Sequence, residues 1–540
     1  MRAGALVFSL LMLAPAALAQ DLDRYQSYQQ TEAVRAHYPD VAIALDAPAL
    51  GPGRDGFTSQ QELQDFIAGL TRSSKTIVAG VAGQSQQGRD IPYLIATAEG
   101  LSDPAQILAL GRPIVWLIGQ QHGNEPAGGE AALAVASALA RGELQGLTAR
   151  VTVVIVPRGN PDGAAAFKRV TANGADPNRD HLLMLLPETR AIHGLMQKLP
   201  PDVVLDAHEF TVGNRWIAKF NALQAVDALL LSATHPMVSR EVTQLADTVF
   251  RPRIEAALQA RGLTSYDYYT TALSNADKTV SMGGNAPGAA RNTFGLNHAV
   301  SFLIETRGVG IGRDGFERRV ATHYLAAKAV LETAADQAGA LRAAVEASRR
   351  SAAAAAADIV VAHKLGVRPV TLPMLDPVSG EAKPTPVEFR DSHAVVAAVT
   401  RPTPAGYLLP DLRGDAIAAL RLNGVALCRT TDAAALDVEA FAIKERAPKV
   451  DREAINPDQA IKVDLVRKRI AIPAGSAFVP TAQPAGKLAA LALEPDSVGS
   501  LAGVGLIPLQ DGADVPIYRL QAAPKLVPFE PRDAAACGPQ

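Results

Sequence analysis

A succession of short apolar, β-branched runs separated by helical patterns constrains this chain more than any other feature. The runs are Thr76-Ile-Val, Pro92-Tyr-Leu-Ile-Ala, Pro113-Ile-Val-Trp-Leu-Ile, Val151-Thr-Val-Val-Ile-Val, Asp202-Val-Val-Leu-Asp and Val300-Ser-Phe-Leu-Ile. Each has the length of a strand, and helical periodicity fills the gaps, as over 129–140, 190–198 and 239–261. The alternation predicts an α/β sheet with helices on both faces. A long helix is expected to follow over 319–345.

At 540 residues the chain exceeds one ordinary domain. A composition shift at Ser351-Ala-Ala-Ala-Ala-Ala-Ala357, beyond which Pro and Gly are frequent and strands look shorter, divides it. The expected organisation is a signal peptide over 1–19, a catalytic domain over 20–345, an Ala-rich helical linker over 346–358 and a smaller α+β or mostly β domain over 359–540. In that last part Tyr407-Leu-Leu-Pro, 415–422 and Val425-Ala-Leu suggest a strand–helix–strand unit, and Val515-Pro-Ile-Tyr-Arg-Leu a closing strand. Its role is not legible.

Arg2, the apolar stretch from Leu6 to Leu13 and the small-residue pattern Ala17-Leu-Ala19 read as a cleaved export signal. The expected location is periplasmic or secreted, with no membrane span in the mature chain. Export permits a disulfide between Cys428 and Cys537, the only cysteines. A net charge of −2 gives no basic footprint, so nucleic acid is not an expected partner.

Ligands in open α/β sheets collect beyond the carboxyl ends of strands, and four polar clusters lie there. They are His122 with Glu125; Asn160-Pro-Asp-Gly163 followed by Arg169 and Asp176-Pro-Asn-Arg179; Asp206-Ala-His208-Glu209; and Glu305-Thr-Arg307. A catalytic zinc takes about three protein ligands and keeps an open position. His122, Glu125 and His208 supply such a set, with His181 the one serious rival as third ligand. His193 and His235 fall away from strand ends, and His298 precedes a strand. Glu305 suits the general base, unless it is tied to Arg307 in a structural ion pair. Arg169 is the nearest cation for an oxyanion. Asn178 and Arg179 suit a bidentate grip on a free carboxylate, and Asp176 could orient a metal-bound imidazole.

These ordered motifs, spread over roughly 57–307, resemble the zinc metallocarboxypeptidases of the carboxypeptidase A class. The resemblance implies one Zn2+ held by His122, Glu125 and His208, with Glu305 as general base and Arg169 stabilising the oxyanion. It also implies that Asn178 and Arg179 hold the terminal carboxylate of a peptide substrate. The implied fold is a twisted, mixed eight-stranded sheet flanked by helices. One departure concerns the tyrosine that the family carries on a mobile loop some two dozen residues before the catalytic glutamate. No tyrosine lies between Thr271 and Ile304; Tyr266, Tyr268 and Tyr269 lie upstream, while Arg291 and Asn292 are alternative holders of the substrate end. The His122-Gly-Asn-Glu125 motif also resembles zinc deacylases of N-acyl amino acids. Cell-wall peptide amidase activity fits the same residues, and a non-catalytic binding protein is the reading from another class. Retention of Glu305 argues against the last.

Overall fold

The computed structural model describes residues 28–538, except Gln145, Leu273, Arg413 and 450–457. The expected export signal lies outside the described residues. Eight strands form one mixed sheet: β1 (Ile77–Gln84), β2 (Asp90–Ala96), β3 (Ile114–Gly119), β4 (Thr152–Val156), β5 (Val203–Thr211), β6 (Ala228–Ser232), β7 (Ser265–Asp267) and β8 (Val300–Val309). Their order is β1-β2-β4-β3-β5-β8-β6-β7. The central pairs β4/β3, β3/β5 and β5/β8 are parallel, and the flanking pairs β1/β2, β2/β4 and β8/β6 are antiparallel.

Strand alternation sorts the apolar side chains onto two faces. Val115 and Leu117 of β3 enter one core with Val153, Ile155, Val203 and Leu205, covered by α1 (Ala127–Ala140) and α4 (Phe316–Asp336). Trp116 and Ile118 enter another with Val154, Val156 and Val204, covered by α2 (Pro187–Met196) and α3 (Ala290–Leu296). Burial on both sides explains why these strands read as unbroken apolar runs.

The single helix expected over 319–345 is two. Helix α4 ends at Asp336 and α5 (Ala338–Ala353) begins after Gln337, whose φ −106° and ψ 19° leave the helical region. Gly339, the second residue of α5, weakens helical preference there. The alanine run then completes α5, and Ala355 turns away in a left-handed conformation (φ 48°).

Beyond α5, β9 (Ile359–Leu372) and β10 (Thr385–Arg401) form a long antiparallel hairpin. It joins the short strand Val280–Ser281, which precedes α3, through a parallel pairing with β10. Seven strands after the hairpin make a further sheet: β11 (Gly406–Leu409), β12 (Cys428–Thr430), β13 (Ala434–Lys449), β14 (Asp458–Ile472), β15 (Ala477–Pro480), β16 (Val515–Leu520) and β17 (Leu526–Pro528). Their order is β14-β13-β16-β11-β15-β12-β17, so the strand starting at Val515 is interior and does not close an edge. Its alternate residues Val515 and Ile517 are fully buried, as an interior position demands. Cys428 and Cys537 are joined as a disulfide, with Cα atoms 5.7 Å apart.

Candidate metal centre and active site

Three loops and two strands deliver the site. Past β3 the chain turns at Gln120, a non-glycine residue in the left-handed region (φ 49°). Such strain persists only where surroundings enforce it. Here Gln120 Nε2 donates to Gly123 O (3.0 Å) and Arg158 Nε donates to Gln120 Oε1 (2.7 Å). The turn presses Gly123 against the segment after β4, where a Cβ would sit 1.9 Å from Gly163 C, so only glycine fits. His122 and Glu125 flank this contact. In the facing segment Asn160 Oδ1 accepts from Gly163 N (2.9 Å), and Asn160 Nδ2 donates to Arg169 O (3.3 Å). The Asn160-Pro-Asp-Gly163 motif thus shapes the turn that presents Arg169.

His122, Glu125 and His208 are all buried, and their donor atoms converge. His122 Nδ1 lies 2.8 Å from Glu125 Oε1, His208 Nδ1 2.9 Å from Glu125 Oε2, and the two Nδ1 atoms 3.0 Å from each other. The outer ring nitrogens meet carboxylates: His122 Nε2 is 3.0 Å from Asp176 Oδ1, and His208 Nε2 is 2.9 Å from Asp206 Oδ2. A proton on each Nε2 satisfies those carboxylates and leaves both Nδ1 lone pairs aimed at one point beside Glu125. The charges agree. Burial works against ionisation of Glu125, yet His122 and His208 hold its carboxyl below the usual range. Burial likewise opposes a charged His208, but Asp206 and Glu125 raise it well above its usual value. The pocket is therefore organised around positive charge at the meeting point. Two imidazole nitrogens and a carboxylate, each imidazole backed by a carboxylate, fit zinc.

Arg169 reaches the same cluster: its Nη1 lies 3.2 Å from Glu125 Oε1 and 3.0 Å from His122 Nδ1, while Nη2 donates to Asp176 Oδ2 (2.7 Å). Asp176 accepts from Asn178 N as well (2.8 Å). Burial would raise the Asp176 carboxyl, but Arg169 and His122 outweigh it and hold it well below the carboxylate range. Arg179 is exposed and donates from Nη1 to Asn178 O (3.0 Å). The Asn178 amide is turned inward, with Nδ2 3.1 Å from His208 Nε2 and Oδ1 accepting from Ala290 N (2.8 Å). Of the expected pair, Arg179 is the one open to solvent.

Glu305 on β8 is half-buried and is the register partner of His208 on β5. Burial and then the Glu125 charge push its carboxyl up to about 8, with His208 and Arg169 opposing. Arg307 donates to Gln30 Oε1 (2.6 Å) and stacks over Tyr38 at 4.1 Å. His181 stands apart from the donor cluster, between His193 Nε2 (2.9 Å) and Gln121 Oε1 (2.7 Å). His298 bonds Ser348 Oγ (2.8 Å), and His235 contacts His363 edge to face. Among the three upstream tyrosines, Tyr269 packs edge-on against Trp216 and Tyr266 against Tyr269. Burial, the larger effect, and the charge of Glu305 raise the hydroxyl of Tyr268 to about 12. Asn292 is structural, its Oδ1 accepting from Thr234 N (2.8 Å) and His235 N (3.1 Å).

Asp206 and Gln121 were given no role by the motifs, although Gln121 Nε2 donates to Asp206 Oδ1 (2.6 Å) and so steadies the partner of His208. The signal for Asp206 was present: two residues before His208 on a strand, it shares that histidine's face.

A family model described as zinc carboxypeptidase matches residues 63–184. The chain is 32% identical over 477 residues to Carboxypeptidase 2 of Trichophyton rubrum, covering 87% of this chain and 88% of that protein. Carboxypeptidase 2 of Trichophyton equinum is 30% identical over 524 residues, covering 94% and 96%. Among solved structures, a metallo-carboxypeptidase from Pseudomonas aeruginosa aligns at 21% identity and TM-score 0.40, covering 53% of this chain and 70% of that one.

Proposed function

We propose that this chain, which belongs to the zinc carboxypeptidase family, removes single residues from the C-termini of peptides at a zinc ion held by His122, Glu125 and His208. The observation that carries this is the convergence of both Nδ1 atoms on Glu125, each ring backed by its own carboxylate through Nε2. When bound, zinc supplies acidification of a water molecule and polarisation of the scissile carbonyl. The remaining work falls to the chain. Glu305, on the strand beside His208, takes a proton from the attacking water and passes it to the leaving amine. Arg169, poised over His122 and Glu125, stabilises the negative charge that develops on the carbonyl oxygen. Arg179, open to the cleft, pairs with the terminal carboxylate of the substrate, beside Asn178. Asp176 and Asp206 hold the two imidazoles in orientation.

Export is part of this reading. It is supported by the charged, apolar and small-residue pattern of the first 19 residues and by the Cys428–Cys537 disulfide, which suits an oxidising compartment. No helix among the described residues is long and apolar enough to cross a membrane. The test is incubation of zinc-loaded protein with a mixed peptide library, read by mass spectrometry. Stepwise single-residue losses from the C-terminus are expected. Release of acyl groups from N-acyl amino acids with peptides left intact would replace the reading with a deacylase.

A further inference from the structure

Arg291, beside the site, is a buried arginine with no carboxylate partner among the described residues. It is 7% exposed, its Nη2 donates to Gly284 O (2.5 Å), and its Nε has no partner. Arg318 and Arg319, also buried, hold carboxylates through Nε, at 2.6 Å to Asp227 Oδ1 and 2.8 Å to Glu209 Oε1. Arg421 and Arg519 leave Nε without a hydrogen bond but pair with Asp533 and Glu439 through their terminal nitrogens, and Arg307, away from the site, stacks on Tyr38. A desolvated guanidinium with one carbonyl for company is costly unless a ligand completes it.

Its position says which ligand. Arg291 lies on α3, directly after Ala290, whose N–H is bonded to Asn178 Oδ1. The charged and ionisable groups that act on it are Tyr268, Arg179, Glu305 and Asp206, three of them residues of the site described above or next to its histidine. Burial draws the guanidinium down to about 10, so it remains cationic at neutral pH. Gly283 sits between Tyr268 and Arg291: a Cβ there would meet Tyr268 Cε1 at 2.9 Å and Arg291 Nη2 at 3.8 Å. Tyr268, Gly283 and Arg291 thus form one wall. The second half of the chain straps this wall in place. Ser392 Oγ donates to Gly283 O (2.7 Å), Asn285 Nδ2 to Ser392 O (3.2 Å) and Met282 N to Arg390 O (2.9 Å). Gly284, the acceptor for Arg291, is therefore fixed from both sides.

We infer that Arg291 is a specificity-determining residue that pairs with the side-chain carboxylate of the departing residue, so that the enzyme prefers peptides ending in glutamate or aspartate. This rests on the carboxypeptidase reading. Such a residue carries two carboxylates once its peptide ends, and the cleft offers two separate guanidinia, Arg179 for one and Arg291 for the other. A lysine or arginine side chain would meet a cation in a desolvated wall, and an aliphatic one would leave Nε unpaired. Both are discriminated against by what they fail to satisfy.

The test compares kcat/KM of the zinc-loaded full chain on blocked peptides identical except for a C-terminal Glu, Asp, Gln, Leu or Lys. Glu or Asp is expected to lead, with Lys the poorest. Arg291→Gln should lower kcat/KM for the Glu peptide by about 30-fold or more while changing the Leu peptide by only about threefold, and Arg291→Lys should restore part of the loss. Zinc content should stay unchanged. Should Arg291→Gln fail to fold, inhibition of the wild-type enzyme decides: free glutamate must compete at lower concentration than free leucine. A wild-type preference for Leu or Lys overturns the inference and leaves the peptidase reading standing. Equal loss on all peptides in Arg291→Gln, or leucine inhibiting as well as glutamate, also overturns it. Failure to cleave any peptide overturns both.

Discussion

Glu305 and His208 are register partners on adjacent parallel strands, β8 and β5. Partners in a parallel pair project to the same side of the sheet. A carboxylate in that position stands beside the proposed metal ligands without being one of them, which is the place for a group that handles protons.

Exchanging this carboxyl for an amide of the same shape separates the two roles. Glu305→Gln is expected to bind one zinc as the wild type does while kcat falls by about 10²- to 10⁴-fold. Metal content and peptide turnover on one preparation check it. Turnover within a few-fold of wild type would remove Glu305 as the base.

The same residue sets a pH dependence. Burial and the Glu125 charge raise its carboxyl towards about 8, and a bound dication draws it back. A raised carboxyl loses its basic form as pH falls through the raised value. The acid limb of kcat/KM is therefore expected above the ordinary glutamate value of about 4.3 and no higher than about 8. A profile still flat down to a pH of about 4.3 would contradict this.

Asp206 accepts from the outer nitrogen of His208 and is itself held by Gln121. Asp206→Asn keeps the shape and removes the charge. Zinc affinity, read by competition with a chelator, should weaken by about 10- to 100-fold. Unchanged affinity would show that the imidazole needs no carboxylate behind it.

Gly123 lies where a side chain has no room against Gly163. Gly123→Ala is expected to cost about 1–3 kcal/mol of stability and to weaken zinc binding, because the strain falls between His122 and Glu125. A wild-type Tm with normal zinc affinity would mean the two loops part freely.

Much of this was legible from sequence because strand ends carry polar residues in plain view. His122 with Glu125, His208 and Glu305 each follow an apolar run, and the sheet order β3-β5-β8 brings those ends together. Local pattern could not show that Asn178 turns its amide to His208 and Ala290, since α3 arrives from far along the chain. Nor could it separate three near-adjacent tyrosines, which look alike until Trp216 claims Tyr269 and Tyr269 claims Tyr266. The hairpin of β9 and β10 was hidden because its partner strand, Val280–Ser281, is two residues long. Gln337 split the long helix for a similar reason, since a single non-helical residue barely disturbs a periodic pattern.

The proposed function depends on one zinc held by His122, Glu125 and His208. It is tested most directly by titrating metal-stripped protein with Zn2+ while following release of a C-terminal amino acid. No release is expected at the start, then a rise with added metal and a break at one equivalent per chain. Full activity in the stripped protein, or zinc uptake without any release, would contradict it.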